Sequence, residues 1–488
     1  MKKIVIGALS LGLAAWLFVP ASPPPDPLPA DVAAFAWHQD EVWNSLEAEF
    51  NAVRAAGCTG TTGQVEAALA KLAADIEWLE TGGRAPGDER FEAMEKNLFA
   101  VAPVLAACPQ QVLAFLDLVN QLRGALKSES RAWDIGDPQT RARVYRILYG
   151  ARMAVEEILL QHRAGGVPDL VPATDEPSQT PSVVVEGLRI HSGDILVSRG
   201  GAPVSALIAR GNDYPGNFSH IALVHVSEQQ EVSVIEALIE VGTTVATLEQ
   251  YLADKKRRIM VLRLDDSLQQ LRADPLLPHR AATAALAEAR DRHVPYDFAM
   301  HYQEPGKKFC SEVASAAYAD LGLQLWESLT TMSSSGTRVW LWALGVEQFV
   351  TEGPSDLEYD PQVVVVAEWR NPEGLFDDHV DNAIIDAMLE GANRGNVIDY
   401  DYWYLPLARI AKAYSALLNL VGKPGPVPEG MSATTALRAK WLDKEHARIK
   451  AAVLKQVTAF RADNDYEPPY WRLVDMARQA VDGPAENL

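Results

Sequence analysis

Cysteine, positive charge and long apolar runs are all scarce in this chain. Three cysteines among 488 residues are too few for a disulfide-dense scaffold. With scattered histidines they also lack the spacing of a zinc site, so no metal is expected. Lys and Arg number 44 against 65 Asp and Glu, a formal charge of -21. That excludes the Lys/Arg footprint nucleic-acid binding requires, and gives no basic patch for a membrane surface. Past residue 21 no segment is long and apolar enough to span a bilayer. No repeat of fixed period is present, which argues against a solenoid or propeller.

Residues 1–21 read as an export signal. Lys2 and Lys3 precede an apolar run from Ile4 to Val19, and Val19-Pro20-Ala21 offers small residues for cleavage. A retained anchor is the alternative. Either places the protein outside the cytoplasm, in the periplasm. Cys58 and Cys108 each follow an Ala pair at an expected helix end, and export permits a disulfide between them. Cys310 is then left over, and a free thiol in an exported chain points to reactivity.

Apolar residues at three- and four-residue spacing, as in Val65 to Leu79 and Val112 to Leu126, make residues 31–164 a helical region. Asp137-Pro138 opens a further helix over 139–162. Residues 165–186, rich in Gly and Pro, read as a linker. The period then changes to that of short strands at 193–197, 221–226, 232–238, 258–264 and 363–369, with a helix over 281–292. From residue 371 to 488 the chain is helical again. The fold class is α+β: a middle domain over 187–370 flanked by all-α regions, either of which offers a surface for a protein partner.

The middle region carries the chemistry. Cys310 stands in Lys307-Lys308-Phe309-Cys310-Ser311-Glu312, ahead of an apolar helical stretch. A thiol at a helix N-terminus meets the positive end of the macrodipole, which favours the thiolate. His220 opens the strand Ser219-His220-Ile221-Ala222, and Glu236 lies in the next strand. A hairpin turn centred on Glu228 sets His220 opposite Glu236 on one sheet face, and His225 on the other. Glu240 shares the face of Glu236. The set reads as nucleophile, base and orienting carboxylate. Against it stand plainer readings: a buried inert cysteine, a strand histidine and an exposed strand carboxylate.

Gly193-Asp194-Ile195-Leu196, Ser219-His220, Ile235-Glu236-Ala237, Pro295-Tyr296-Asp297, Phe309-Cys310-Ser311-Glu312 and Pro354-Ser355-Asp356-Leu357 occur in that order. In this ordered set the chain resembles the YiiX/YebB-like, circularly permuted papain-fold amidases of the NlpC-type cysteine hydrolase superfamily. His precedes Cys, as permutation requires. The resemblance implies a small antiparallel, barrel-like sheet packed on a Cys-bearing helix. It implies Cys310 as nucleophile, His220 as base and later acid, Glu236 as orienting residue and Tyr296 as a substrate-binding residue. It implies acyl transfer to water without cofactor.

The expected substrate is a peptide amide, cell-wall peptides first, with lipid amides or esters as the alternative. Trp326, Trp340 and Trp342 are candidates for an acyl pocket, or else core. A non-catalytic scaffold is the rival class.

Overall fold

The computed structural model describes residue 17 and residues 34–37, 40–162, 168–302, 304 and 306–483. The expected leader, residues 1–21, lies outside the described residues apart from Leu17.

The 3.6-residue period after residue 40 folds as five helices: α1 (Asp40–Ala56), α2 (Thr62–Glu80), α3 (Arg90–Ala107), α4 (Val112–Ser130) and α5 (Pro138–Gln161). Asp137 caps α5 by accepting the Thr140 N–H at 2.8 Å, with Pro138 at the first helical position. Cys58 and Cys108, at the ends of α1 and α3, are joined in a disulfide.

A seven-stranded antiparallel sheet follows. It is built from β1 (Leu170–Pro172), β4 (Ile195–Gly200), β5 (His220–Val226), β6 (Val232–Leu238), β7 (Gly242–Thr247), β8 (Lys256–Leu264) and β11 (Val363–Arg370). The order is β1-β11-β8-β4-β5-β6-β7. The ends do not pair, so the sheet is open, in place of the barrel-like closure expected. Two further strands, β2 (Ser182–Val185) and β3 (Leu188–His191), form a hairpin, and β9 (Thr330–Thr331) pairs with β10 (Val350–Thr351). The segment expected as a linker therefore carries two strands. Leu170 to Pro172 add an edge to β11, and Ser182 to Val185 pair with β3. Gly and Pro density marked the turns there, and hid the short pairings between them.

Short helices α6 (Pro203–Arg210), α7 (Leu248–Ala253) and α8 (Gln269–Ala273) connect the strands. Then come α9 (Leu277–Asp291), α10 (Glu312–Ala319), α11 (Ser335–Ala343), α12 (Pro372–Asn393), α13 (Leu405–Asn419), α14 (Ala433–Asn464) and α15 (Tyr470–Asp482). Alternation along the strands sends Ile195, Val197, Ile221 and Leu223 to one face, under α9 and α10. Leu196, Ala222, Val224 and Val234 face the other way, toward the β2–β3 hairpin and Tyr251 of α7.

The N- and C-terminal helices share one apolar core rather than forming two modules. Trp43 of α1 stacks on Trp471 of α15, and Arg472 pairs with Glu47 at 2.9 Å. A buried ionic network ties this helical layer to the sheet. Glu156 of α5 pairs with Arg258 of β8 and accepts from His379 Nε2 of α12 at 2.8 Å. Arg258 also reaches Asp378 of α12 at 2.7 Å, and Asp378 holds Arg199 of β4 at 3.0 Å. Burial alone raises the Glu156 carboxyl, but Arg258 and His379 hold it well below the usual carboxylate range.

Candidate active site

Strand β5 starts at His220, so this side chain stands at the mouth of the sheet rather than in its middle. The approach is held from both sides. Ser355 Oγ donates to the Phe218 carbonyl at 2.7 Å and accepts the Phe218 N–H at 3.0 Å. Ser219 N–H donates to the Ser198 carbonyl at 2.9 Å. Gly216 permits this clamp, because a Cβ there would lie 2.3 Å from Ser355 Cβ. The Pro354–Leu357 motif thus fixes the strand end that carries His220.

The β5–β6 ladder pairs Ala222 with Glu236 and Val226 with Val232. The turn is one residue later than expected, and His220 is not directly opposite Glu236. A one-residue move of the turn centre shifts the pairing by two residues, and parity survives. The two side chains keep a common face and meet diagonally, with His220 Nε2 2.7 Å from Glu236 Oε2. Glu240 lies beyond the end of β6, in the turn to β7. His225 faces the other way and stacks on His279 of α9.

Cys310 reaches the same strand end from the far side. It is 4 % exposed, in the turn two residues ahead of α10. Its Sγ lies 3.9 Å from the Ser219 carbonyl, and Cys310 stands close enough to His220 to raise the pKa of the ring. With Nε2 given to Glu236, Nδ1 is the ring nitrogen left for the sulfur. Burial lowers the His220 pKa. The hydrogen bonds and charges of Cys310 and Glu236 outweigh it and carry the imidazole up to about 9. The Cys310 and Ser311 N–H groups find no acceptor among the described residues. They stand beside the sulfur as donors.

Glu312 clamps this turn by accepting the Phe309 N–H at 3.1 Å. Burial pushes its carboxyl up to about 8, so it is neutral at pH 7 and sets no negative charge beside the thiol. The other wall is the loop carrying Tyr296, which bridges to Lys308, with Lys308 N–H to the Pro295 carbonyl at 3.1 Å. Gly242, at φ +75°, lets β7 approach this loop: a Cβ there would sit 2.2 Å from the Val294 carbonyl oxygen. Tyr296 is half-buried; burial, then the Cys310 charge, hold its phenol well above its ordinary pKa, so it remains a neutral donor. Asp297, His301 and Glu304 bring ligand atoms within 4.8 Å of one another. Both Asp297 oxygens are already taken by the Ala299 and His301 N–H groups, at 3.0 and 2.7 Å.

The structure thus brings Cys310, His220, Glu236 and Tyr296 together. Trp326 and Trp340 are core, bonded to the Gly353 and Asn396 carbonyls at 2.9 and 2.7 Å, and Trp342 lies against Phe349. Two neighbours escaped sequence reasoning. Ser198 is the register partner of His220, and Tyr251 carries a buried hydroxyl whose pKa is raised by burial and by the Glu236 and Cys310 charges. Neither hydroxyl has a hydrogen-bond partner within 3.5 Å among the described residues. An isolated Ser and Tyr carry no sequence signal of this kind. A cavity of about 840 Å³ lies in the helical layer, and its wall includes none of Cys310, His220 and Glu236.

Residues 189–366 match the model of a family described as permuted papain-like amidase enzymes, YaeF/YiiX, C92 family. The match spans the segment from β3 into β11 and holds every site residue named above. No curated protein and no solved structure matches the chain. This domain is a cysteine hydrolase of the amidase and peptidase type, on an α+β permuted papain-like fold.

Proposed function

We propose that Cys310 is the nucleophile of an exported amidase, His220 its base and acid, and Glu236 the residue that orients the imidazole. One observation carries this reading: Glu236 occupies His220 Nε2 at 2.7 Å while the Cys310 sulfur stands 3.9 Å from the carbonyl of the adjacent Ser219. The thiolate attacks the amide carbonyl and forms the C–S bond. The Cys310 N–H supports the oxyanion, with the Tyr296 phenol as a second donor. His220 then gives its proton to the departing amine as the C–N bond breaks. Water, deprotonated by the now neutral His220, attacks the thioester. The acid leaves, and the thiolate–imidazolium pair is restored. Protein groups suffice for every step.

Export is supported by the Cys58–Cys108 disulfide, which suits an oxidising compartment such as the periplasm. The apolar leader expected over residues 1–21 points the same way. Peptide amides of the cell wall are the substrate class we place first. Iodoacetamide labelling of purified protein, followed by mass spectrometry, tests the dyad. Fast labelling of Cys310 at pH 6 that is lost in His220→Ala is expected, with hydrolysis of muropeptides abolished in Cys310→Ala. Slow labelling in both proteins overturns the reading.

A further inference from the structure

The cavity in the helical layer is walled mainly by α1, α3, α5, α12 and α15. Its volume of about 840 Å³ falls inside the roughly 300–1,000 Å³ range of small-molecule sites. Three part-buried tryptophans stand in the wall. Trp43 of α1 stacks on Trp471 of α15, ring centroids 6.0 Å apart, and Trp37 meets Trp43 edge-on at 5.9 Å. Arg146 already lies over the Trp37 ring at 5.1 Å. Among the described residues no cation lies over Trp43 or Trp471.

The carboxylates of the wall are matched by arginines, with one exception. Arg210 holds both oxygens of Asp386, each at 2.8 Å, and Arg478 holds both of Glu390, at 2.8 and 2.7 Å. Arg478 also reaches Asp475 at 2.9 Å. Glu47 pairs with Arg472 at 2.9 Å and accepts the Trp471 indole N–H at 3.1 Å. Glu157 is the exception. It stands on α5 one turn after Met153 and one before Gln161, which line the cavity with it. Its Oε1 accepts the Tyr470 N–H at 2.8 Å. His379 Nδ1 stands 3.9 Å from that same oxygen, beyond hydrogen-bond reach, and His379 Nε2 is given to Glu156. Among the described residues no Arg or Lys pairs with Glu157, and its Oε2 has no partner. Burial raises this carboxyl above its ordinary pKa, against the charge of His379 and the Tyr470 N–H.

This combination selects a ligand. An anion would need the two arginines of the wall, and both are committed to bidentate carboxylates. A hard metal ion would need about six to eight oxygens, where one carboxylate oxygen is open. A neutral apolar molecule would fill the space and leave Glu157 unmatched. An ammonium group supplies the missing charge and donates to Oε2, while the indole rings favour both a cation and the carbon body that carries it. We propose that this cavity binds an organic ammonium ion, a primary amine on an apolar body, with Glu157 as its carboxylate. The site stands apart from the hydrolase centre and does not depend on the chemistry assigned to Cys310.

The test uses the full chain, titrated in a calorimeter at pH 7 with octylamine, 1-octanol and octanoate, which share a chain and differ in charge. Octylamine is expected to bind at one site, about tenfold or more tighter than 1-octanol, with no binding of octanoate. Glu157→Gln keeps an acceptor for the Tyr470 N–H and removes the charge, so the preference for amine over alcohol should vanish. Met153→Trp fills the cavity, and octylamine binding should be lost while Cys310 labelling is unchanged. Equal binding of amine and alcohol by the wild type, or binding of neither, overturns the proposal without recourse to a variant. So does an amine preference that survives in Glu157→Gln, or full binding in Met153→Trp, either of which places the amine elsewhere.

Discussion

His220 and Glu236 meet at 2.7 Å across a diagonal of the β5–β6 ladder, where Ala222 is the residue opposite Glu236. The diagonal matters because His220 occupies the first position of its strand, which leaves its second ring nitrogen open to Cys310 from beyond the sheet edge. A directly opposed pair deeper in the ladder would bury that nitrogen against the hairpin.

This contact predicts the alkaline limit of activity. The His220 imidazolium, raised to about 9, holds the charged pair through neutral pH, and kcat/KM should fall as pH rises through about 9. The stability supplied by that raised pKa is fully present below about 6.5 and lost over the same rise. Glu236→Gln removes one of the two groups that raise it. The alkaline limb should move down by about one to three pH units, and kcat/KM should drop about 10²- to 10⁴-fold. A pH–rate profile of the variant checks both; an unmoved limb would separate Glu236 from the titration.

Glu312 gives a prediction of opposite chemistry. Its carboxyl, raised from 4.5 to about 8 by burial, is a neutral acceptor for the Phe309 N–H. Glu312→Gln keeps the acceptor, and Cys310 labelling at pH 7 should stay within about twofold. Glu312→Ala loses the clamp, and labelling should slow about tenfold. The folded-state pKa is raised, so wild-type stability falls as pH rises from 4.5 through about 8. Glutamine does not titrate. The melting temperature of Glu312→Gln relative to wild type should therefore climb by about 2 °C or more between pH 5 and pH 9, as calorimetry would show.

The ionic network predicts a stability cost far from the chemistry. Removing Glu156 leaves Arg258 and His379 without their shared buried carboxylate. Glu156→Ala should destabilise the protein by about 3–5 kcal/mol in denaturant unfolding. Because the network joins α5 and α12 to β8, sheet and helical layer should then unfold in separate transitions. A single transition with unchanged midpoint would remove the network from the account.

The disulfide predicts redox-dependent stability. Cys58 and Cys108 close a loop with a sequence separation of 50. Cys58→Ser/Cys108→Ser should lose about 2–4 kcal/mol. Reduction of the wild type should reproduce the loss, and reduction of the variant should add nothing.

The ordered motifs made the hydrolase domain legible, but they did not sort by role. Asp194 and Ser355 lie in motif segments like those of Cys310 and His220, yet they act on the frame. Asp194 binds Arg263 at 2.8 Å and caps the His191 N–H at 2.8 Å, while Ser355 grips Phe218. The strand periods located β5, β6, β8 and β11 closely. The three- and four-residue strands β1 and β2 escaped because so few residues hold no readable period, and their pairing comes from partners distant in sequence.

What the sequence by itself determined is local: helix and strand from apolar period, the common face of His220 and Glu236 from parity, and a thiol ahead of a helix from the run around Cys310. Parity is insensitive to a two-residue change of register, and so the shared face survived a misplaced turn. The tertiary structure alone decided whether the sheet closed, that the two helical flanks share one core, and that Ser198 and Tyr251 stand beside His220 and Glu236. It also decided that Glu157 lines the cavity of the helical layer without an Arg or Lys partner. Each of these depends on contacts between segments far apart in the chain, set by shape and charge complementarity, which no single stretch of residues encodes.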